Sequence, residues 1–276
     1  MVIQHNIAAI NSYRNLGINQ SGLSKNLEKL SSGYRVNRAG DDAAGLAISE
    51  AMRSQINGLN QAATNAKDAI GLIQTAEGAL TETHSMLQRL VTLATQSANG
   101  TYSSTARANI QEEAAALEKE ITRIADNTDF NGIKPLKKTQ ESGMTFQIGP
   151  SSAETINVNM SHMDAASLLT SATEISSNIT DQKKAKDNLL NTINNAITSV
   201  SKYRAHLGAA QNRLEHTVNN LKVTSENIQA AESRIRDTDM AEEITAYTKN
   251  NILLQAAQSM LTQANASPQG VLSMLG

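Results

Sequence analysis

The chain has no cysteine and no tryptophan, and its aromatic content is only 3%, made up of two Phe and five Tyr. The first absence excludes disulfides and thiolate metal sites, and it fits an extracellular setting. The scarcity of aromatics leaves little material for a thick globular core, so Ala, Leu and Ile must do the packing. Such residues suit the narrow seam between two or three long helices. Proline is scarce too, and Pro135, Pro150 and Pro268 leave most of the chain without a helix breaker. A net charge of −2 gives no general reason to expect nucleic acid as a partner.

Charge is the most unevenly missing property. There is no Asp, Glu, Lys or Arg from Asn251 to Gly276, and none from Met1 to Tyr13. Chain ends normally fray and stay polar, yet these carry Ile3, Ile7 and Ile10 at one end and Leu253, Leu254, Met260, Leu261, Leu272 and Leu275 at the other. A membrane-spanning helix needs about twenty predominantly apolar residues. Gln255, Gln258, Gln263, Asn265 and Gln269, with Pro268 among them, argue against membrane insertion. Residues 1–13 also lack the basic leader and continuous apolar run of a cleaved signal peptide. Burial against protein is therefore expected. Leu253, Ala257, Met260 and Ala264 form one stripe at alternating spacings of four and three, with Leu254 and Leu261 beside it. One helical partner hides one stripe, and the other promotes association.

Between the ends, three ladders of apolar or small residues predict long helices. The first runs Met52, Ile56, Leu59, Ala63, Ala66, Ile70, Ile73, Leu80, Leu87, Val91, Ala94, Ala98, interrupted at Glu77 and His84 and stopped by Asn99-Gly100. The second runs Ile110, Ala114, Leu117, Ile121, Ile124. The third runs from Ile193 through Ala196, Val200, Tyr203, Leu207, Ala210, Leu214, Thr217, Leu221, Thr224, Ile228 and Ala231 to Ile235. Met144, Phe146 and Ile148 alternate with polar residues, as do Ile156, Val158 and Met160, which predicts a β-hairpin closed by Gly149-Pro150-Ser151. A short helix and a loop are expected over 161–186. The predicted fold class is mainly α: a long antiparallel coiled-coil rod with a small hairpin, plus paired N- and C-terminal helices.

Motifs that carry chemistry are missing. Asn37, Arg38, Gly40, Asp41, Asp42 and Gly45 place carboxylates and glycines together, but no Lys followed by Ser or Thr completes a phosphate loop. The structural reading is that Gly40 turns the chain and Asp41 and Asp42 cap the long helix. His5, His84, His162, His206 and His216 have no metal-binding spacing, and no GxSxG nucleophile occurs. Arg14, Lys25, Lys29, Arg35 and Arg38 are read as a solvated or salt-bridging face. No cofactor, metal or catalytic residue is expected.

The segments HNIAAINS, LEKLSSGYRVNRAGDDAAGLAISEAMRSQINGL, LIQTAEGALTETHSMLQRL, DFNGIK, LGAAQNRLEHTVNNL, ESRIRD and NNILLQAAQSMLTQANASPQGVLSMLG closely resemble bacterial flagellins, in a compact form similar to those of Gram-positive bacilli. The resemblance implies a non-enzymatic subunit that polymerises into a flagellar filament for swimming. It implies an inner-tube domain of residues 1–42 with 237–276. The outer rod domain is 43–236, with the hairpin at about 134–160 and no large variable insert. Inner-tube contacts fall to Ile3, Ile7, Ile10, Leu253, Leu254, Ala257, Met260, Leu261, Ala264, Leu272 and Leu275, and the connector to Asn37, Arg38, Gly40, Asp41 and Asp42. The implied partners are further copies of the chain, an export chaperone, and the cap and hook–filament junction proteins. Export is expected by the flagellar type III route, without signal cleavage, to an extracellular flagellum. Arg89, Leu93, Gln96 and Glu113 match the stretch recognised by a mammalian toll-like receptor, although Val91 and Thr92 stand where related chains commonly carry Arg-Glu. The alternatives are a hook–filament junction or other axial protein of the same organelle, an enzyme carried on this scaffold, and a membrane-active coiled coil.

Overall fold

The computed structural model describes residues 6–137, 143–169 and 189–275, and it leaves aside the side chains of residues 269 and 271–275. In chain order the elements are α1 (Ile7–Ser32), α2 (Ala43–Ser97), α3 (Ser104–Asn127), β1 (Met144–Gln147), β2 (Thr155–Val158), α4 (Ala165–Leu168), α5 (Leu190–Arg236) and α6 (Met240–Leu275). The fold is mainly helical, as the ladders predict. Two compact units divide it, one of Met1–Ile56 with Glu226–Gly276 and one of Asn57–Ser225.

In the unit 57–225, α2 and α5 run antiparallel. Ser225 Oγ donates to Asn60 Oδ1 at 3.1 Å, and Arg204 lies 3.4 Å from Glu77. Their seam is filled by Leu59, Ala66, Ile73, Leu80 and Leu87 against Ile193, Val200, Leu207 and Leu214, all buried. α3 adds Ile110, Ala114 and Ile121 to the same cluster. Ser103 caps α3 by accepting the Ala106 N–H at 3.3 Å.

The buried register departs from the predicted ladders in each helix. On α2 the seam steps to Ala76 and Thr83, so Glu77 and His84 sit half-buried at its edge. A helix touching two neighbours buries a wider face than one stripe, and the step keeps charge out of it. On α3, Glu118 and Ala125 are buried, while Leu117 and Ile124 are only half-buried. On α5, Val218 and Ser225 replace Thr217 and Thr224 in the interior. Leu207, Ala210, Leu214 and Val218 follow spacings of three, four and four, a local eleven-residue pattern in place of a strict heptad.

β1 and β2 pair antiparallel with Met144 opposite Val158 and Phe146 opposite Ile156. Ile156 and Val158 point into the core, as their alternation requires. Beyond the hairpin, the buried Tyr203 hydroxyl on α5 accepts the Ser161 N–H at 3.2 Å and donates to Met160 Sδ at 3.3 Å, so this one side chain fastens the returning strand. Burial raises the Tyr203 hydroxyl above the ordinary tyrosine value, opposed by the Ser161 bond. The short helix expected over 161–186 is α4, and the remainder of that expectation, residues 170–186, falls outside the described residues.

In the other unit, α1 and α6 are antiparallel partners. Asn6 Nδ2 donates to the Ala264 carbonyl at 2.7 Å near one end, and Lys29 meets Glu243 at 3.7 Å near the other. The segment after α1 and the segment before α6 also pair. Arg35 N–H donates to Arg236 O at 2.7 Å, Thr238 N–H donates to Gly33 O at 3.0 Å, and Tyr34 bridges Asp237. Gly33 ends α1 at φ 75, the left-handed region where a side chain would be strained, and its N–H closes the last turn on Lys29 O at 2.8 Å.

Candidate assembly interface

The terminal helices meet along a stripe that repeats every three or four residues. On α6 the partly covered positions include Tyr247, Asn250, Leu254, Ala257, Leu261 and Ala264, and on α1 they include Ala9, Leu16, Leu23 and Leu30. The covered stripe is therefore the one containing Leu254 and Leu261. The stripe predicted through Leu253 and Met260 is split, with Ala257 and Ala264 partly covered and the two larger side chains exposed along the edge of the seam. Leu253 is 40% exposed and Met260 64%, with Ile7 at 64% and Ile10 at 57% on α1. Tyr13, Ile18 and Ile252 extend the exposed apolar set. Sequence patterning missed them because they lie off the regular stripe. A groove of about 380 Å³ between the helices is lined by Ser12, Ile18, Leu253 and Met260 among others, with no charged residue. Ile3 lies outside the described residues, as do the side chains of Leu272 and Leu275.

Asn6 also escaped the sequence reading. Its Oδ1 accepts the Ala9 N–H at 3.1 Å and caps α1, while its Nδ2 serves the Ala264 carbonyl. Pro268 lies inside α6 and has no N–H to give that carbonyl, which a continuous helix would have bonded. One amide thus fills the vacancy that proline creates on the partner helix. The Asn before Ile7 was a readable capping signal; the second bond, across 258 positions, was not.

The connector is held by its own polar residues. Asp42 Oδ1 accepts the Gly45 N–H at 2.9 Å and caps the start of α2. A side chain at Gly45 would collide with that carboxylate. Asp41 does not cap the helix. Its carboxylate accepts the N–H groups of Arg38 at 3.1 Å and Asn37 at 3.3 Å, which lower its pKa below the ordinary Asp value. Glu28 gathers Arg38 at 2.7 Å and the Asn37 amide at 3.0 Å, and Gly40 is exposed in the turn. The basic run is a salt-bridging face at Lys29 and Arg38. Arg35 instead donates to Ile235 O at 2.6 Å, and Arg14 to Asn11 at 2.6 Å. Arg236 is a further anchor, placed 4.7 Å over the Tyr34 ring and 2.7 Å from Glu50.

Within the other unit, the receptor-matching residues divide by exposure. Arg89 and Glu113 form a half-exposed ion pair at 2.7 Å, and Gln96 donates to the Tyr102 hydroxyl at 2.9 Å. Leu93 is 1% exposed and belongs to the core.

No catalytic constellation emerges among the described residues. Ser167 Oγ and Asp164 Oδ1 lie 2.8 and 3.4 Å from the same nitrogen of His162, Nδ1. A catalytic triad needs them on opposite ring nitrogens. Asp164 instead caps α4 through the Ser167 N–H at 2.8 Å. A cleft of about 500 Å³ takes both of the chain's phenylalanines, Phe130 and Phe146, with Asn65 and Asp68 at its rim, but no second acid or base. No cluster of metal-ligating residues occurs among the described residues, and none of the described helices is long and apolar enough to cross a membrane.

Comparison with known proteins agrees with this picture. Residues 3–141 match the bacterial flagellin N-terminal helical region, and residues 190–275 match the bacterial flagellin C-terminal helical region. The chain is 50% identical to a flagellin of Halalkalibacterium halodurans over 275 residues and 50% identical to a flagellin of Bacillus subtilis over 303, with full coverage of both chains in each case. The crystal structure of Bacillus cereus flagellin is 30% identical, with a TM-score of 0.49, covering 61% of this chain and 94% of that one. With half of all residues identical along the entire length, the chain belongs to the flagellin family, the structural, non-enzymatic subunits of the flagellar filament.

Proposed function

We propose that the chain polymerises through the exposed face of α1 and α6 into the inner tube of a helical filament that a rotary motor turns for swimming. The observation that carries this reading is the exposed apolar surface formed by Ile7, Ile10, Leu253 and Met260. The flagellin resemblance adds Ile3, Leu272 and Leu275 to these contacts in the filament. Leu254, Ala257, Leu261 and Ala264 hold α1 to α6, and residues 37–42 connect the inner tube to an outer layer built from 43–236. Purified protein seeded with filament fragments tests this. Met260→Asp should abolish elongation while leaving helical content intact, because an unpaired buried charge is strongly unfavourable. Long filaments from that variant, or from a chain cut after Lys249, would refute it.

Family membership supports type III export to the extracellular flagellum, with a chaperone covering α6 beforehand and the cap and junction proteins bounding the filament. It also supports binding to the flagellin-sensing toll-like receptor through Arg89, Gln96 and Glu113, with Leu93 acting from within the core to support the surface. Arg89→Ala should weaken binding to the receptor ectodomain on the order of tenfold, about 1.4 kcal/mol. Equal affinity of both proteins would remove Arg89 from that surface.

A further inference from the structure

The chain contains three Asn-Gly pairs, Asn57-Gly58, Asn99-Gly100 and Asn131-Gly132. In such pairs the glycine nitrogen can attack the asparagine side-chain carbonyl carbon, since no Cβ on the glycine obstructs the approach. The fold gives the three pairs different backbones. Asn57 and Gly58 lie inside α2, where helical hydrogen bonding holds the Gly58 nitrogen. Asn131 and Gly132 form a tight turn at φ 53 and φ 82, and the Gly132 N–H donates to the Asp129 carboxylate at 3.0 Å. In both cases the attacking nitrogen is already engaged.

Asn99-Gly100 is different. It follows the end of α2, both residues are exposed, and the Gly100 N–H has no acceptor among the described residues. The Thr101 N–H donates to Asn99 Oδ1 at 3.4 Å. That bond folds the carboxamide back along the Asn99–Gly100 peptide, and it places a donor on the oxygen that becomes negative during attack.

We propose that Asn99 is a self-modification site, converted through a succinimide to aspartate and isoaspartate. The Gly100 nitrogen gives up its proton to hydroxide and forms a bond to Asn99 Cγ. Bond formation closes the five-membered ring, and the Cγ–Nδ2 bond breaks as water gives a proton to Nδ2, so that ammonia leaves and hydroxide is regenerated. Water then adds to one of the two ring carbonyls, and the ring C–N bond at that carbonyl opens. The net change consumes one water, releases one ammonia and needs no oxidant or reductant. The new carboxylate forms beside a cation, since the Arg107 guanidinium already donates to Ser97 O at 3.1 Å and Asn99 O at 3.2 Å. Such pairing favours retention of the turn.

Peptide mass analysis with isoaspartyl-specific methyl labelling tests this, after incubation of the full chain at mildly alkaline pH. In the folded protein Asn99 should convert on the order of tenfold faster than Asn57 or Asn131, and in urea the three rates should converge. Comparable rates in the folded protein, or slow conversion of Asn57 and Asn131 that persists in urea, would overturn the assignment. Thr101→Pro keeps the Asn-Gly pair and removes the donor. It should slow conversion of Asn99, and an unchanged rate would refute the role given to the Thr101 N–H.

Discussion

α1 and α3 are helices of nearly equal length, 26 and 24 residues, with opposite fates. α3 buries Ile110, Ala114, Glu118, Ile121 and Ala125, whereas α1 buries no residue fully. The contrast does not come from a lack of apolar residues, because α1 carries Ile7, Ile10, Leu16, Ile18, Leu23, Leu27 and Leu30. It comes from the number of neighbours. α3 joins a cluster already built by α2 and α5, while the partner of α1 is α6, and a two-helix seam covers only a stripe of each. One unit closes its own core. The other leaves much of its apolar surface exposed.

The sharpest way to break this comparison is to truncate one large side chain in each unit. Leu80→Ala opens a cavity in a site with no solvent access and should lower unfolding stability by about 3 kcal/mol. Met260→Ala removes a side chain that is 64% exposed, so thermal unfolding of the monomer should shift little while seeded elongation slows. Equal losses of monomer stability in the two variants would erase the distinction between the units.

Glu118 supplies a smaller effect of different character. It is 7% exposed, its Oε1 has no hydrogen-bond partner, and burial raises its pKa from 4.5 to about 7. Between those values the folded chain holds the proton that the unfolded chain releases, so Glu118 lowers stability progressively as pH rises from 4.5 to about 7. Above that window the cost is fully present. Glu118→Gln should therefore raise the unfolding midpoint at pH 8 and change it far less at pH 4.5. A gain of the same size at both pH values would show that ionisation is not the cause.

The smallest expected change, about 1 kcal/mol, is at the terminal pair, where Asn6→Ala removes the α1 cap and the donor to Ala264 O. In a Pro268→Ala background α6 can bond its own carbonyl, so the loss from Asn6→Ala should shrink toward the capping contribution alone. Circular dichroism melts of the four proteins measure the difference. Strict additivity would mean that the Asn6 amide does not answer the vacancy made by Pro268.

Much of the fold was legible because it depends on local periodicity. The three ladders located α2, α3 and α5, and alternation located the hairpin, since side-chain direction follows from helix and strand geometry. The faces were less legible. Leu117 and Ile124 are the apolar residues of their turns, yet Glu118 and Ala125 occupy the interior of α3. Neither residue type nor spacing could show which flank would meet a second neighbour. The same limit explains why Leu253 and Met260 were grouped with Ala257 and Ala264, and why Asp41 was read as a helix cap when it closes the turn before Asp42.

By itself, the sequence determined a mainly helical chain, the course of its three long ladders and its hairpin, and ends that carry apolar residues without charge. Those properties reside in neighbouring residues and in regular spacing, and no distant contact is needed to establish them. Tertiary structure decided which stripe pairs, which carboxylate is buried, and how Asn6 meets the carbonyl left open by Pro268. These outcomes depend on residues far apart in the chain arriving at the same point in space. A periodic pattern identifies a face, and only the packed helices select what covers it.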